Sequence, residues 1–407
     1  MELIPVISAV AYFLYLAAEA VPFRQKFKVV NRRIAVSGIR GKSSVTRLIA
    51  GGLKGAGFRV LAKTTGSRPM LIYPDGREAV IRRRGRPGIL EQKKLMAEAA
   101  REQVDFLVSE MMSIQPECLR AELRNLVKPE ILVLTNFRVD HVEYLGEDRE
   151  SVARAMLGAV PSGTLVFLPE EESQPWMTDF SRKRSFELRI VSGNRETARL
   201  CEMLSYPEFE PNARLALSVL RLFGISEDQV ISGWSALNPD FGRMRVWKIE
   251  NRNGSHFYFV NLFAVNDPES SRLAIESLTA RAGWPKKRML GLISLRGDRG
   301  DRTWQWAEFL NSGQADFLEG LMVTGPGPRA FLRKLKGRFL RSDRPCFVLK
   351  GKSPEEDLEE IKRIVSGFQG IGKISGESWL VFALGNIGGF GQRLIDYLER
   401  THDDLRI

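Results

Sequence analysis

Cysteine is nearly absent. Cys118, Cys201 and Cys346 are the only three in 407 residues, scattered and without CxxC spacing, which excludes a disulfide framework and suggests no zinc site. Reduced, cytosolic folding is the simplest reading. Histidine is equally scarce: His256 falls in an apolar run and His402 in the tail, leaving His141 as the one candidate for chemistry. There is no internal repeat, no low-complexity segment and no basic motif interleaved with aromatics, so nothing points to a nucleic-acid module. Acidic residues are outnumbered, 49 Asp and Glu against 61 Lys and Arg for a net charge of +12. That balance favours an acidic partner such as a nucleotide, nucleic acid, anionic lipid or polycarboxylate. The length and the 43% hydrophobic content suit two domains of ordinary size.

Long hydrophobic runs are also lacking, with one exception. "LIPVISAVAYFLYLAA", residues 3–18, is nearly unbroken, and "EAVPF" extends it to Phe23 with a single charge, Glu19. As a helix it would reach roughly 30 Å, the hydrocarbon thickness of a bilayer. Arg24, Lys26, Lys28, Arg32 and Arg33 follow it and no basic residue precedes it, a pattern that predicts a membrane anchor with the remaining chain in the cytoplasm. A cleaved signal peptide fits poorly without a basic leading region. The alternative is a buried or interfacial N-terminal helix.

Beyond residue 30 short apolar runs alternate with helical stretches. The runs at 33–37, 58–62, 105–110, 131–136 and 164–168, and a second series at 257–262, 289–294, 320–325, 346–350 and 379–385, predict parallel sheets covered by helices, an α/β fold. Pro and Gly in "SALNPDFG" interrupt both periods. The expected organisation is an anchor with a basic flank over 1–30, a nucleotide-binding domain over 31–238 and a second α/β domain over 239–407.

The first strand runs into "SGIRGKSS", residues 37–44. Strand, Gly-x-x-Gly-Lys-Ser and helix in that order form a phosphate-binding loop, although the first glycine of the strict pattern is replaced by Val36. Free N–H groups at the helix start face a phosphate chain, Lys42 reaches its β and γ groups, and the Ser43 hydroxyl is placed for Mg²⁺. Glu110 ends the strand "DFLVSE", while Asn136, Asp140 and His141 lie just past the strand at 131–135. Ligands of open parallel sheets gather at the carboxyl ends of strands, so Ser43, Glu110 and His141 are the candidate metal ligands. The basic stretch "IRRRGRPG", residues 81–88, is either a carboxylate-binding segment or a solvated loop.

These elements resemble the Mur ligase superfamily, ATP-dependent enzymes that join a carboxylate to an amine through an acyl phosphate. The resemblance runs from about residue 33 to the end and includes "NFRVDH", "PNARLAL", "FGRMR" and "LRGDRGDRT". Within it, "GIRGKSSVTRL", "KTTGS", "EQKK", "DRGDRT" and "GNIGG" are most similar to the PgsB/CapB family, the ligase subunits of membrane-bound poly-γ-glutamate synthases. The resemblance implies a Mur-ligase-like P-loop ATPase domain, a smaller C-terminal Rossmann-like domain and an N-terminal membrane helix. It implies ATP and Mg²⁺ as cofactors, with Gly38, Gly41, Lys42, Ser43, Ser44, Asn136, Asn212, Arg243, Asp298 and Arg299 at the nucleotide. Lys42, Arg40, Glu110, His141 and Arg245 are the implied catalytic set, and Arg40, Arg68, Asn266 and Asp267 the implied substrate contacts. Glutamate and poly-γ-glutamate would be the substrates, small membrane subunits the partners, with a homo-oligomer possible and no nucleic acid expected. The location implied is the bacterial cell membrane, with the catalytic domains cytoplasmic.

Two departures bear on mechanism. Where related ligases carry a carbamylated lysine after the Asp-His pair, Met156 stands here, and "VNLFAVNDP" begins with Asn261 where peptidoglycan ligases begin an Asp-Tyr-Ala-His stretch. Another Mur-type amino-acid ligase, or a nucleic-acid-dependent P-loop ATPase, remains the competing reading.

Overall fold

The computed structural model describes residues 3–405 other than 31, 67, 84, 86, 194, 205, 207, 239–241, 243, 252–253, 282–287, 336–338, 340–343 and 370–378. The chain divides into two compact units, residues 1–204 with 208–240, and residues 205–207 with 241–407.

The first unit is built on eight strands: β1 (Arg32–Ser37), β2 (Val60–Thr64), β3 (Met70–Ile72), β4 (Glu78–Val80), β5 (Phe106–Glu110), β6 (Ile131–Leu134), β7 (Leu165–Pro169) and β8 (Glu187–Val191), in the order β4-β3-β2-β5-β1-β6-β7-β8. The five apolar runs expected from the sequence appear as β1, β2, β5, β6 and β7. They are almost wholly buried because helices cover the sheet. The edge strands escaped the pattern. The β3–β4 hairpin is antiparallel and only three residues deep, and β8 is half exposed. The register pairs Val36 with Glu110 and Ser37 with Leu134, so β1, β5 and β6 end at one level.

The helix Lys42–Gly55 that leaves β1 packs backbone to backbone on the helix Glu227–Ser235. A Cβ on Gly233 would lie 2.0 Å from the Gly51 carbonyl oxygen, and one on Gly55 would lie 2.1 Å from the Gln229 carbonyl oxygen. Glycine at these positions allows the approach that sets the direction of the helix, and hence of the loop before it. The Trp234 indole N–H donates to the Leu48 carbonyl at 2.9 Å, fixing the same contact.

Residues Leu3–Val29 form one helix. Its C-terminal part packs Phe23 and Phe27 against Val30, Leu61, Leu95 and Leu107 of the first unit, while Val6, Ile7, Val10, Tyr12, Phe13 and Leu14 are exposed. The expected membrane-crossing helix is not supported: among the described residues no helix is long and apolar enough to cross a membrane. Glu19 interrupts the run, the segment past Phe23 belongs to the folded unit, and the side chains of residues 15–20 lie outside those described.

The second unit holds β9 (Arg245–Glu250), β10 (His256–Asn261), β11 (Arg288–Ser294), β12 (Gly320–Thr324), β13 (Cys346–Val348) and β14 (Trp379–Gly385), ordered β13-β12-β11-β14-β10-β9. All pairings are parallel except the edge strand β9, which is antiparallel to β10. Trp247, Phe259, Leu292, Ile361, Val381 and Leu398 lie in its core.

Candidate active site

Two glycines in left-handed backbone shape the loop after β1, Gly38 at φ 124° and Gly41 at φ 80°. Space requires glycine as well. A Cβ on Gly38 would sit 2.1 Å from the Thr135 hydroxyl, and one on Gly41 would sit 2.5 Å from Asn212 Oδ1. The loop is laced to the segment past β6: the Ile39 N–H donates to the Asn136 carbonyl at 3.3 Å, the Arg40 N–H donates to Asn136 Oδ1 at 3.2 Å, and Asn136 Nδ2 donates to the Arg40 carbonyl at 3.0 Å. Asn136 thus acts here as a brace for the phosphate loop. Asn212 abuts the loop from the helix Glu210–Leu222 and donates to Glu208 at 2.8 Å.

The charged side chains form two groups. On the β5 side, the Ser43 hydroxyl donates to Glu110 Oε2 at 2.8 Å, and the same oxygen accepts the Thr65 N–H at 2.7 Å. Glu110 is buried, so its carboxylate is held in one orientation against the first turn of the helix that carries Ser43. On the β6 side, Arg40 donates to Asp140 Oδ2 at 2.8 Å, while the His141 N–H donates to Asp140 Oδ1 at 2.9 Å. Asp140 is buried and His141 sits in left-handed backbone at φ 54°. The His141 ring lies 3.8 Å from Asp140 and 3.9 Å from Glu143.

Lys42 lies between them and folds back to donate to the carbonyls of Gly38 at 2.9 Å and Ile39 at 3.3 Å. Burial pushes its ammonium below the ordinary lysine pKa. Glu110 opposes that shift, Arg40 adds to it, and Asp140 and Glu122 oppose it. A phosphate chain would supply the missing negative charge. Among the described residues no three His, Cys, Asp or Glu side chains converge as a ready-made metal cage. The Ser43–Glu110 pair does fit an ion such as Mg²⁺, which takes one or two protein oxygens and completes its shell with phosphate and water. Met156 is buried among Leu134, Leu145 and Leu157. Arg68 is exposed beyond β2.

The expected residues of the second unit have their own partners. Arg245 opens β9 and pairs with Glu399 at 2.5 Å and Asp404 at 3.8 Å. Arg296 grips Asp298 in a two-point pair at 2.9 and 2.6 Å, and Arg299 grips Asp301 at 3.1 and 2.9 Å. The Arg296 hydrogen bonds hold the Asp298 carboxyl below its usual pKa. Asp267 caps the helix Pro268–Arg281, accepting the Ser270 N–H at 2.8 Å and the Ser270 hydroxyl at 2.7 Å. Asn266 meets Arg302, and Arg243 lies outside the described residues.

Sequence reading passed over an open cleft of about 540 Å³ at the carboxyl ends of β11 to β14, lined by Arg296, Thr324, Lys350, Gly388, Phe390 and Arg393 among others, with no Asp or Glu in its lining among the described residues, although Asp298 grips Arg296. Its signal was dispersed: Arg296 and Lys350 come from two loops and Arg393 from the start of the helix Gln392–Thr401, with none of the three close to another in sequence.

Family models match both halves of the chain, the Mur ligase middle domain over residues 36–197 and the poly-gamma-glutamate synthase CapB C-terminal domain over residues 246–401. Capsule biosynthesis protein CapB of Bacillus anthracis is 28% identical over 92% of this chain and 78% of its own length. PGA synthase CapB of Bacillus subtilis (strain 168) is 28% identical over 91% and 90%. A solved bifunctional folylpolyglutamate synthase/dihydrofolate synthase with Mn, AMPPNP and L-glutamate bound superposes with a TM-score of 0.60 at 14% identity, covering 94% of this chain and 92% of that one, which shows the shared fold. With a Mur-type phosphate-loop unit followed by a CapB-type second unit, the chain is similar over nine-tenths of its length to the CapB poly-γ-glutamate synthases.

Proposed function

We infer that this chain is an ATP-dependent amide ligase that forms poly-γ-glutamate, activating a carboxylate of glutamate or of the polymer and joining it to the amine of glutamate. The observation that carries the reading is a phosphate loop in which Arg40, fixed to the buried Asp140 at 2.8 Å, stands two residues before Lys42. Two cations at one loop suit two anions, a phosphate chain and a carboxylate. A carboxylate is a poor electrophile. Transfer of the γ-phosphoryl group of ATP to one of its oxygens releases ADP. The amine nitrogen then attacks the acyl carbon, inorganic phosphate leaves and the amine sheds a proton. Charge neutralisation and positioning do most of the catalytic work.

Lys42 neutralises the phosphates, leaving its carbonyl partners when they arrive. The planar guanidinium of Arg40, oriented by Asp140, holds the carboxylate in a fork that a lysine cannot offer. Ser43 and Glu110, with His141 approaching from the β6 side, would hold Mg²⁺, which supplies charge neutralisation on the phosphate oxygens. In the second unit the cleft with Lys350, Arg393 and Arg296, the last shared with Asp298, takes the carboxylates of the incoming glutamate. Membrane association through the exposed apolar face of residues 6–14, together with small membrane subunits, is the reading favoured by the apolar run that precedes the basic flank.

The test is reconstitution with membranes, ATP, Mg²⁺ and labelled D- or L-glutamate, following ADP and polymer together. Coupled formation of both, lost in Lys42→Ala, supports the reading. ATP hydrolysis stimulated by DNA or RNA and indifferent to glutamate overturns it.

A further inference from the structure

The structure assigns Arg302 as the positioning residue of the second unit's cleft, acting through Asn386 and Asn266; we propose that it sets the turn on which glutamate is received. The inference rests on the reading of that cleft as a carboxylate site. Arg302 is buried, and its NH1 group spends its two N–H bonds on two side-chain amides, Asn386 Oδ1 at 2.9 Å and Asn266 Oδ1 at 3.0 Å.

Each amide governs a different strand end. Asn386 comes directly after β14. Its N–H and Nδ2 both donate to the Ser294 carbonyl, at 3.0 and 3.3 Å, tying the end of β14 to the end of β11. Asn266 lies beyond β10 in left-handed backbone at φ 69°. Its amide donates to the Ala264 carbonyl at 2.7 Å, and its own carbonyl accepts the Trp306 indole N–H at 3.1 Å. One guanidinium therefore fixes the ends of β10, β11 and β14 to the helix Gly300–Asn311.

The segment after Asn386 needs fixing. Residues 387–391 make an irregular turn with Gly388 at φ −62°, ψ 143° and Gly389 at φ 75°, ψ −107°, and Gly388, Gly389 and Phe390 form one wall of the cleft. A Cβ on Gly388 would stand 3.2 Å from Arg296 NH1, so the cleft arginine rests against this backbone. A turn rich in glycine has many alternative conformations, and a planar donor that reaches two carbonyls at once limits them. Lysine keeps the charge and has donors enough for both amides, but on a side chain of different reach and without the fixed planar geometry.

The test compares glutamate KM, kcat and nucleotide KM in the full chain for Arg302→Met, Arg302→Lys and Asn386→Ala, with thermal melts of each. Lys350→Ala and Arg393→Ala serve as reporters of the cleft itself. Losing a charged hydrogen bond is worth about tenfold or more in an equilibrium, so Arg302→Met should raise glutamate KM by about tenfold, with nucleotide KM unchanged and kcat little altered. Arg302→Lys should recover part of the loss, and Asn386→Ala should match Arg302→Met. If the reporter variants raise glutamate KM while folded Arg302 and Asn386 variants leave it unchanged, the positioning role is overturned and the cleft stands. If the reporters leave it unchanged, the cleft reading itself fails. If Arg302→Met does not fold, Arg302→Lys and Asn386→Ala decide, and a fall in kcat at constant glutamate KM in both also overturns the proposal.

Discussion

Arg40 and Asp140, one hundred residues apart in the chain, meet at 2.8 Å with the carboxylate buried. The other oxygen of Asp140 takes the backbone N–H of His141. One carboxylate thus joins the phosphate loop after β1 to the histidine segment after β6.

Arg40→Asn is expected to keep nucleotide binding, which the loop backbone and Lys42 provide, and to lose glutamate-dependent ADP release by about 10²-fold, the usual consequence of removing one charge-stabilising donor. Arg40→Lys should recover only part. The comparison is made at saturating ATP across a glutamate series. Weakened ATP binding with an unchanged glutamate dependence would make Arg40 a nucleotide contact.

Glu110→Gln and Ser43→Ala should each raise the Mg²⁺ concentration needed for half-maximal turnover by about tenfold or more, because the pair at 2.8 Å shares one task. Magnesium titrations that coincide with those of the unaltered chain in both variants would remove them from the metal site.

The depressed pKa of Lys42 has a sign that calorimetry can read. The folded, nucleotide-free chain holds this proton more weakly than the unfolded chain, so burial costs stability at lower pH. That cost is relieved as pH rises through the lowered pKa toward the ordinary 10.5. Phosphates reverse the shift. Nucleotide binding should therefore take up protons in the alkaline range, and affinity should fall as pH rises through the free-chain pKa of Lys42. Lys42→Met should abolish the uptake along with ligation and, with the buried charge gone, leave the nucleotide-free chain at least as stable at neutral pH.

Gly233→Ala should destabilise the first unit, because its new methyl would meet the Gly51 carbonyl at 2.0 Å and both neighbours are backbone. Overpacking of this kind costs about 1–3 kcal/mol, which in a unit of this size lowers the melting temperature by roughly 2–4 °C per kcal/mol. Nucleotide affinity should fall with it, since the displaced helix begins at Lys42. A melt within experimental error of the unaltered chain would show that the helices part without cost.

Deletion of residues 1–23 should leave a folded chain that binds nucleotide and loses polymer synthesis in reconstituted membranes. Phe27 stays to cover the packing surface it shares with Phe23. A truncated chain that fails to fold would show that the packing of Phe23 is needed to complete the first unit's core.

The parts of the fold that the sequence made legible are those where one physical requirement dominates. Parallel strands buried on both faces must be apolar, so β1, β5, β6 and β7 stand out. A loop that carries Gly38 and Gly41 at positive φ against Thr135 and Asn212 can be little other than glycine. The β3–β4 hairpin is too short to show a period, and in the edge strand β9 buried Trp247 and Ile249 alternate with exposed Lys248 and Glu250 over only four residues, too few to stand out. Side-chain partnership was less visible still. Within "DRGDRT" the arginines are equivalent as letters, yet Arg299 turns to Asp301 while Arg302, three residues on, enters the core. Asn136 reads as a ligand contact until its amide is seen bonded to both backbone groups of Arg40. Neither choice is local, since each depends on a segment far away in the chain.

The central claim is that the loop of Arg40 and Lys42 phosphorylates a carboxylate. Its most direct test is isotope transfer: glutamate or poly-γ-glutamate carrying heavy oxygen in its carboxylates is supplied with ATP and Mg²⁺, and the inorganic phosphate released during ligation is analysed by mass. An acyl phosphate carries a carboxylate oxygen away with the phosphate, so one labelled oxygen per phosphate is expected, and Lys42→Ala should yield none. Polymer formed with unlabelled phosphate would contradict the account.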